Sequence, residues 1–166
     1  MDSPLTDIKI NHFTSKWAEQ RGIPVHYYAS VTSTNVISKQ NLFSELDENQ
    51  PLALMVAEQQ TKGRGRGDNT WTVDKPGSAL QSTWCYWLPD SPHPTLPIRS
   101  GLACHRALKA VWPFLDLSLK APNDLLVEGE KLGGLLLETV QQGSKTVVFI
   151  GLGFNVWDSP AQVDKA

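Results

Sequence analysis

Apolar positions along the chain change period several times, and each change marks a boundary between elements. Residues 23–31 mix Val25, Tyr27, Tyr28 and Val31 in the manner of a strand. That run ends in Thr32-Ser33-Thr34-Asn35, whose short polar side chains suit a helix N-terminus with Thr32 or Ser33 as the cap. From there Val36, Ile37, Gln40, Phe43 and Leu46 recur at helical spacing until Asn49, Gln50 and Pro51 end the pattern. Leu52 to Gln59 is short and apolar almost throughout, as a central strand covered on both faces would be. Gly63, Gly65 and Gly67 then crowd into five residues, so residues 61–70 are expected to form a mobile loop. Ser78 to Leu88 predicts a strand and the proline-rich stretch Pro89 to Pro97 a loop. Ile98 to Trp112 predicts a helix with Ile98, Leu102, Leu108 and Trp112 on one face. Beyond Pro113, apolar runs at 115–119, 125–127, 132–138 and 146–156 are punctuated by Glu128-Gly129-Glu130 and Gln142-Gly143-Ser144, a β meander joined by hairpins. The expected fold class is α+β, a mixed β-sheet with two helices packed on it.

Composition narrows the picture. A chain of 166 residues and 18.4 kDa has room for one core, and 40% hydrophobic with 19% charged residues excludes a disordered tail, a fibrous repeat or a coiled coil. The formal net charge of −2 offers no global attraction for nucleic acid or an anionic membrane, so any anion must be bound locally. Met1 to Trp17 is polar and lacks the apolar core of a secretion signal, and the run Val147 to Val156 is about half the length needed to span a bilayer. With only Cys85 and Cys104, a reducing, cytoplasmic setting is the expectation, with no membrane and no nucleic acid among the partners.

Candidate chemistry concentrates at two points. Lys62, Arg64 and Arg66 alternate with Gly63, Gly65 and Gly67, joining planar bidentate donors to a backbone that can approach a ligand closely. That combination suits an anion, although a solvated, flexible turn has the same composition. Lys120 follows a strand and precedes Ala121-Pro122-Asn123-Asp124, where it can reach over a sheet edge or simply face solvent. Lys131, beside Glu128 and Glu130, reads as a hairpin charge pair worth little. His12, His26, His93 and His105 are dispersed, no metal-ligand spacing exists, and the two cysteines read as buried thiols.

In order along the chain, Ser33-Thr34-Asn35, Glu58-Gln59-Gln60, Lys62-Gly-Arg-Gly-Arg-Gly67 with Trp71, Lys120-Ala-Pro-Asn-Asp-Leu125, Lys131-Leu-Gly-Gly134 and Gly151-Leu-Gly-Phe-Asn155 resemble the catalytic domain of biotin protein ligases. The resemblance runs from about residue 25 to 157 and implies a fold of the class II aminoacyl-tRNA synthetase and biotin synthetase type. It implies an enzyme that joins the biotin carboxylate to ATP, releases pyrophosphate, and passes biotin from biotinyl-5′-AMP to a lysine of a biotin carboxyl carrier acceptor domain, with Mg²⁺ accompanying the nucleotide. Ser33, Thr34 and Asn35 match positions that meet the ureido ring, and Gln60 matches another biotin contact. Arg64 and Arg66 match residues on the carboxyl and phosphate side, and Lys120 one that stabilises the reacting oxygens. Gly63, Gly65, Trp71, Asn123, Lys131, Gly134 and Asn155 complete the implied binding set. The glycine loop would be loose when empty and ordered over the adenylate, shielding it from water.

Two positions depart from the family pattern. Asp68 stands where a further basic residue is common, and Ala121 replaces a tryptophan of the lysine turn. The same resemblance suggests one catalytic domain over residues 1–166, with 1–22 as an N-terminal extension and without a C-terminal barrel-like domain. A homodimer through a sheet edge is open. Other readings are a non-catalytic protein that binds biotin or biotinyl-AMP, and a lipoate or octanoate attachment enzyme of the same superfamily.

Overall fold

The computed structural model describes residues 9–157. Seven strands, β1 (Val25–Tyr28), β2 (Leu52–Ala57), β3 (Ala79–Leu88), β4 (Leu117–Lys120), β5 (Asp124–Val127), β6 (Glu130–Gln142) and β7 (Lys145–Asn155), form one sheet in the order β1-β2-β3-β7-β6-β5-β4. The β1–β2 pair is parallel and every other pair antiparallel, so the sheet is mixed as its sequence pattern predicts. Strands β4 to β7 form the expected meander. Their hairpin turns carry positive φ at Glu128, Gly129 and Gly143, the positions the turn signals mark.

Helix α2 (Thr34–Asn41) crosses between the parallel strands and covers one face of the sheet. Leu42 and Leu46, just beyond it, pack with Ala53, Met55, Cys85, Val147 and Phe149. On the opposite face Leu54 and Val56 meet Ala18. Successive β2 side chains thus enter two different cores, which is why this strand is apolar at every position rather than alternating.

Ala18 belongs to helix α1 (Ile10–Glu19), an element the hydrophobic pattern does not predict. Its buried face consists of Asn11, Ser15 and Ala18, while the large apolar residues Phe13 and Trp17 face outward. An apolar-periodicity search therefore finds no buried stripe where one of polar and small residues exists. The fold has three helices among the described residues rather than two. Helix α3 (Leu96–Val111) packs against β4, β5 and β6 and begins two residues earlier than expected, with Pro97 in its first turn, where a missing N–H costs nothing. Its predicted apolar face is only partly covered, since Leu102 and Trp112 are exposed.

Phe149 is fully buried at the centre of the α2-side core. Phe149→Ala is expected to destabilise the fold by about 3–5 kcal/mol, read as a lowered urea midpoint with an unchanged slope.

Candidate functional site

A cavity of about 530 Å³ opens between the N-terminus of α2, the glycine loop, the β4–β5 turn and the adjoining ends of β6 and β7. Its wall brings together residues separated by more than a hundred positions, from Ser33 to Asn155. Every residue of the sequence-derived site set lies on this wall except Gly63, which is buried directly beneath Trp71.

The first wall comes from α2. Ser33 occupies the N-cap position, but its side chain makes no capping hydrogen bond. Thr34 is anchored instead by Gln60, whose Oε1 accepts from the Thr34 N–H at 2.7 Å and from Thr34 Oγ1 at 3.1 Å. Backbone bonds from Val31 to Gln59, Thr61 to Val31 and Lys62 to Thr32 lay the start of the glycine loop alongside this segment. The Asn35 amide is spent on the protein. Its Oδ1 accepts from Thr83 Oγ1 at 2.6 Å, and its Nδ2 donates to the Leu136 carbonyl at 3.2 Å and to Glu138 Oε2 at 2.9 Å. Asn35 therefore ties α2 to β3 and β6, where the resemblance implied a contact to the ureido ring.

The glycine loop is not a bare tether. Gly65 N–H donates to Asn69 O at 2.8 Å and Trp71 N–H to Gly63 O at 3.1 Å, and Arg64 bridges Thr70, so the segment folds back on itself. Gly67, with φ of 64°, makes the tip. The Trp71 ring lies flat against β7, close enough that a Cβ on Gly153 would sit 2.5 Å from it. A Cβ on Gly63 would meet the Trp71 carbonyl at 2.1 Å. The glycines are required where the loop and its tryptophan press onto the sheet, as well as for freedom of the backbone.

Glu138 organises the charge. Its Oε1 takes Lys39 Nζ at 2.9 Å and Arg64 at 3.0 Å, while Oε2 takes Asn35. Burial alone would raise this carboxyl, but hydrogen bonds from Lys39 and Asn35 and the charges of Lys39 and Arg64 outweigh it and hold it below the usual range. Arg64 thus pairs with protein, whereas Arg66 and Lys120 form no ion pair among the described residues. Lys131 reaches across the β5–β6 ladder to Asp124 at 3.1 Å instead of pairing with Glu128 or Glu130 beside it. The β4–β5 turn that carries Lys120 contains a cis peptide at Ala121–Pro122, and Asn123 Nδ2 within it donates to the Leu135 carbonyl at 3.0 Å.

Sequence reasoning passed over Glu138. One signal was available: a lone carboxylate closing the apolar run Leu135-Leu136-Leu137 on a strand. Among the described residues no three His, Cys, Asp or Glu side chains are grouped to hold a metal ion, and Asp124 is the only carboxylate on the cavity wall. Cys85 is buried, which pushes its thiol up to about 12, and it faces the core rather than the cavity.

The lowered Glu138 carboxyl gives a signed expectation. Its contribution to stability is fully present above the ordinary glutamate value of about 4.3 and is lost as pH falls through the lower folded value. Glu138→Gln removes that contribution, so the gap in unfolding free energy between wild type and variant shrinks as pH drops through this acidic window. Urea titrations along a pH series test it, and a gap independent of pH contradicts it.

The chain matches the model of the biotin/lipoate A/B protein ligase family over residues 27–155. It is 33% identical over 132 residues to the chloroplastic biotin–protein ligase 1 of Arabidopsis thaliana, covering 76% of this chain and 34% of that protein. To the biotin–[acetyl-CoA-carboxylase] ligase of Mycobacterium tuberculosis it is 33% identical over 118 residues, covering 67% and 42%. It thus spans well under half the length of these curated relatives. Its fold aligns with the Leishmania major biotin protein ligase solved in complex with biotinyl-5-AMP at a TM-score of 0.66 and 29% identity, over 86% of this chain and 61% of that one. The Aquifex aeolicus biotin protein ligase solved with biotin and ATP gives 0.62 at 26% identity, over 86% and 57%. No helix among the described residues is long and apolar enough to cross a membrane. Since the matched segment runs from β1 to the end of β7 and contains the whole cavity wall, this chain belongs to the biotin/lipoate A/B protein ligase family.

Proposed function

We propose that this chain is the substrate-activating core of a biotin protein ligase, binding biotin and MgATP in the cavity above the sheet. The observation that carries the reading is one cavity wall holding Arg66 and Lys120, which form no ion pair among the described residues, together with the polar Ser33, Thr34 and Gln60. Thr34 and Gln60 suit a neutral cyclic urea, which needs donors and acceptors side by side. Leu135, Leu136 and Leu152 on the same wall suit an aliphatic chain, and the Trp71 ring offers a flat apolar face for a nucleobase.

In the reaction a biotin carboxylate oxygen attacks the α-phosphorus of ATP, the bond to the β-phosphate oxygen breaks, and pyrophosphate leaves with the electron pair. The product is the mixed anhydride biotinyl-5′-AMP. A lysine amine of a carboxyl carrier acceptor domain then attacks the acyl carbon, and AMP departs. Bringing two unit anions to 4 Å costs about 4 kcal/mol at an effective dielectric near 20, so fixed cations must offset it. Arg66, with a planar fork of donors, and Lys120, as a point charge, are placed to do so as electrostatic stabilisers. Mg²⁺ would enter with the nucleotide and neutralise phosphate charge, since Asp124, the one carboxylate on the wall among the described residues, is already engaged by Lys131.

Biotin-dependent exchange of labelled pyrophosphate into ATP tests the activation step. Wild-type protein is expected to catalyse it, and Arg66→Ala and Lys120→Ala are each expected to lower the rate about 10²- to 10³-fold with little change in melting temperature. Exchange that neither substitution affects contradicts the assignment of the two cations. Biotin binding with no exchange at all would make the chain a binder instead of an enzyme.

A further inference from the structure

We propose that Gln81, which lies outside the cavity wall on β3, is a positioning residue for the biotin end of the site and that Asn11 of α1 holds it in place. This rests on the ligase reading above and adds to it the residues that decide which ring the pocket accepts.

The relay starts and ends on backbone groups whose hydrogen-bonding sense cannot change. Thr34 N–H donates to Gln60 Oε1, Gln60 Nε2 donates to Gln81 Oε1 at 3.1 Å, and Gln81 Nε2 donates to the Glu58 carbonyl at 3.0 Å. Turning either amide over would set donor against donor at Thr34 or acceptor against acceptor at Glu58. Both glutamines are therefore fixed in one sense. Gln81 is 1% exposed and Asn11 fully buried, so neither amide can exchange its partners for water. Asn11 seals the start of β3 with both ends of its amide, accepting from the Gln81 N–H at 2.9 Å and donating to the Ala79 carbonyl at 2.9 Å.

The consequence reaches the cavity. Gln60 keeps one N–H of its amide for a ligand, and Thr34, whose hydroxyl proton is given to Gln60, keeps oxygen lone pairs. A donor and an acceptor then stand beside one another in fixed positions. That pair complements a cyclic urea, which carries a carbonyl next to an N–H, and gives a dithiolane ring nothing to bond. The relay thus selects a ureido acid over a lipoyl-type acid, and α1 contributes to selectivity without touching the ligand.

The test uses the full chain and Gln81→Met, which keeps length and burial but removes the amide. In pyrophosphate exchange the biotin KM is expected to rise about tenfold, the worth of one buried hydrogen bond, while kcat and the ATP KM stay within about twofold. Lipoic acid, used as the competing probe, should gain ground against biotin by a similar factor. Without any ligand, hydrogen exchange at the Thr34 amide should become faster. Gln81→Asn, which withdraws the amide by one methylene, should give the same split and serves if the Met variant does not fold. An unchanged biotin KM overturns the relay, as does a joint loss of biotin KM, ATP KM and kcat together with melting temperature. If wild-type protein shows no exchange activity, the ligase reading fails by itself. The Thr34 exchange rate still decides the relay, and an unchanged rate refutes it.

Discussion

Positive side chains gathered around one cavity repel one another, and Glu138 is the carboxylate that fastens the glycine loop and α2 against that repulsion. Glu138 accepts Lys39, Arg64 and Asn35 at 2.9–3.0 Å and thereby joins α2, the glycine loop and β6 at one point. Two cations on one carboxylate leave the cluster with net positive charge, so the pocket stays attractive to an anion while its loop is pinned to the sheet. Arg66 and Lys120 then carry charge that no carboxylate among the described residues pairs with. The division between a cation that fastens the loop and cations that face a substrate follows from this arrangement.

The second constraint is contact between loop and sheet. Gly63, Gly151 and Gly153 let Trp71 and Asn35 lie where any side chain would collide, since a Cβ on Gly151 would come within 2.4 Å of Asn35 Oδ1. A flat, small-residue floor on β7 is what allows α2 and the loop to close around a cavity instead of sealing it with side chains. The antiparallel register carries this floor into β6, where Gly134 stands opposite Gly153. Glycines from two separate sequence motifs thus share one face of the sheet.

Much of this was legible in the chain. The unbroken apolarity of Leu52 to Ala57 and the paired hairpin turns are written into contiguous residues, so the sheet and its meander could be read directly, whereas the cap expected at Thr32 or Ser33 makes no side-chain hydrogen bond at Ser33, the N-cap. The site motifs were legible because backbone approach and anion binding demand particular residue types at short spacing. What escaped notice depends on partners distant in sequence. Helix α1 buries Asn11, whose place inside is set by its hydrogen bonds to the β3 backbone and not by hydrophobicity. Arg64 is drawn to a carboxylate 74 positions away, and Lys131 prefers Asp124 across a ladder to the glutamates beside it. Local reading overestimates neighbours in sequence wherever an ion pair forms between strands.

The account stands on the capacity of this cavity to make an acyl-adenylate. Purified protein incubated with biotin and MgATP, then analysed by mass spectrometry of the released small molecules, addresses that directly. Biotinyl-5′-AMP accumulating in proportion to enzyme, and absent when biotin is omitted, is the expected result. Recovery of unchanged biotin and ATP from folded protein would contradict it.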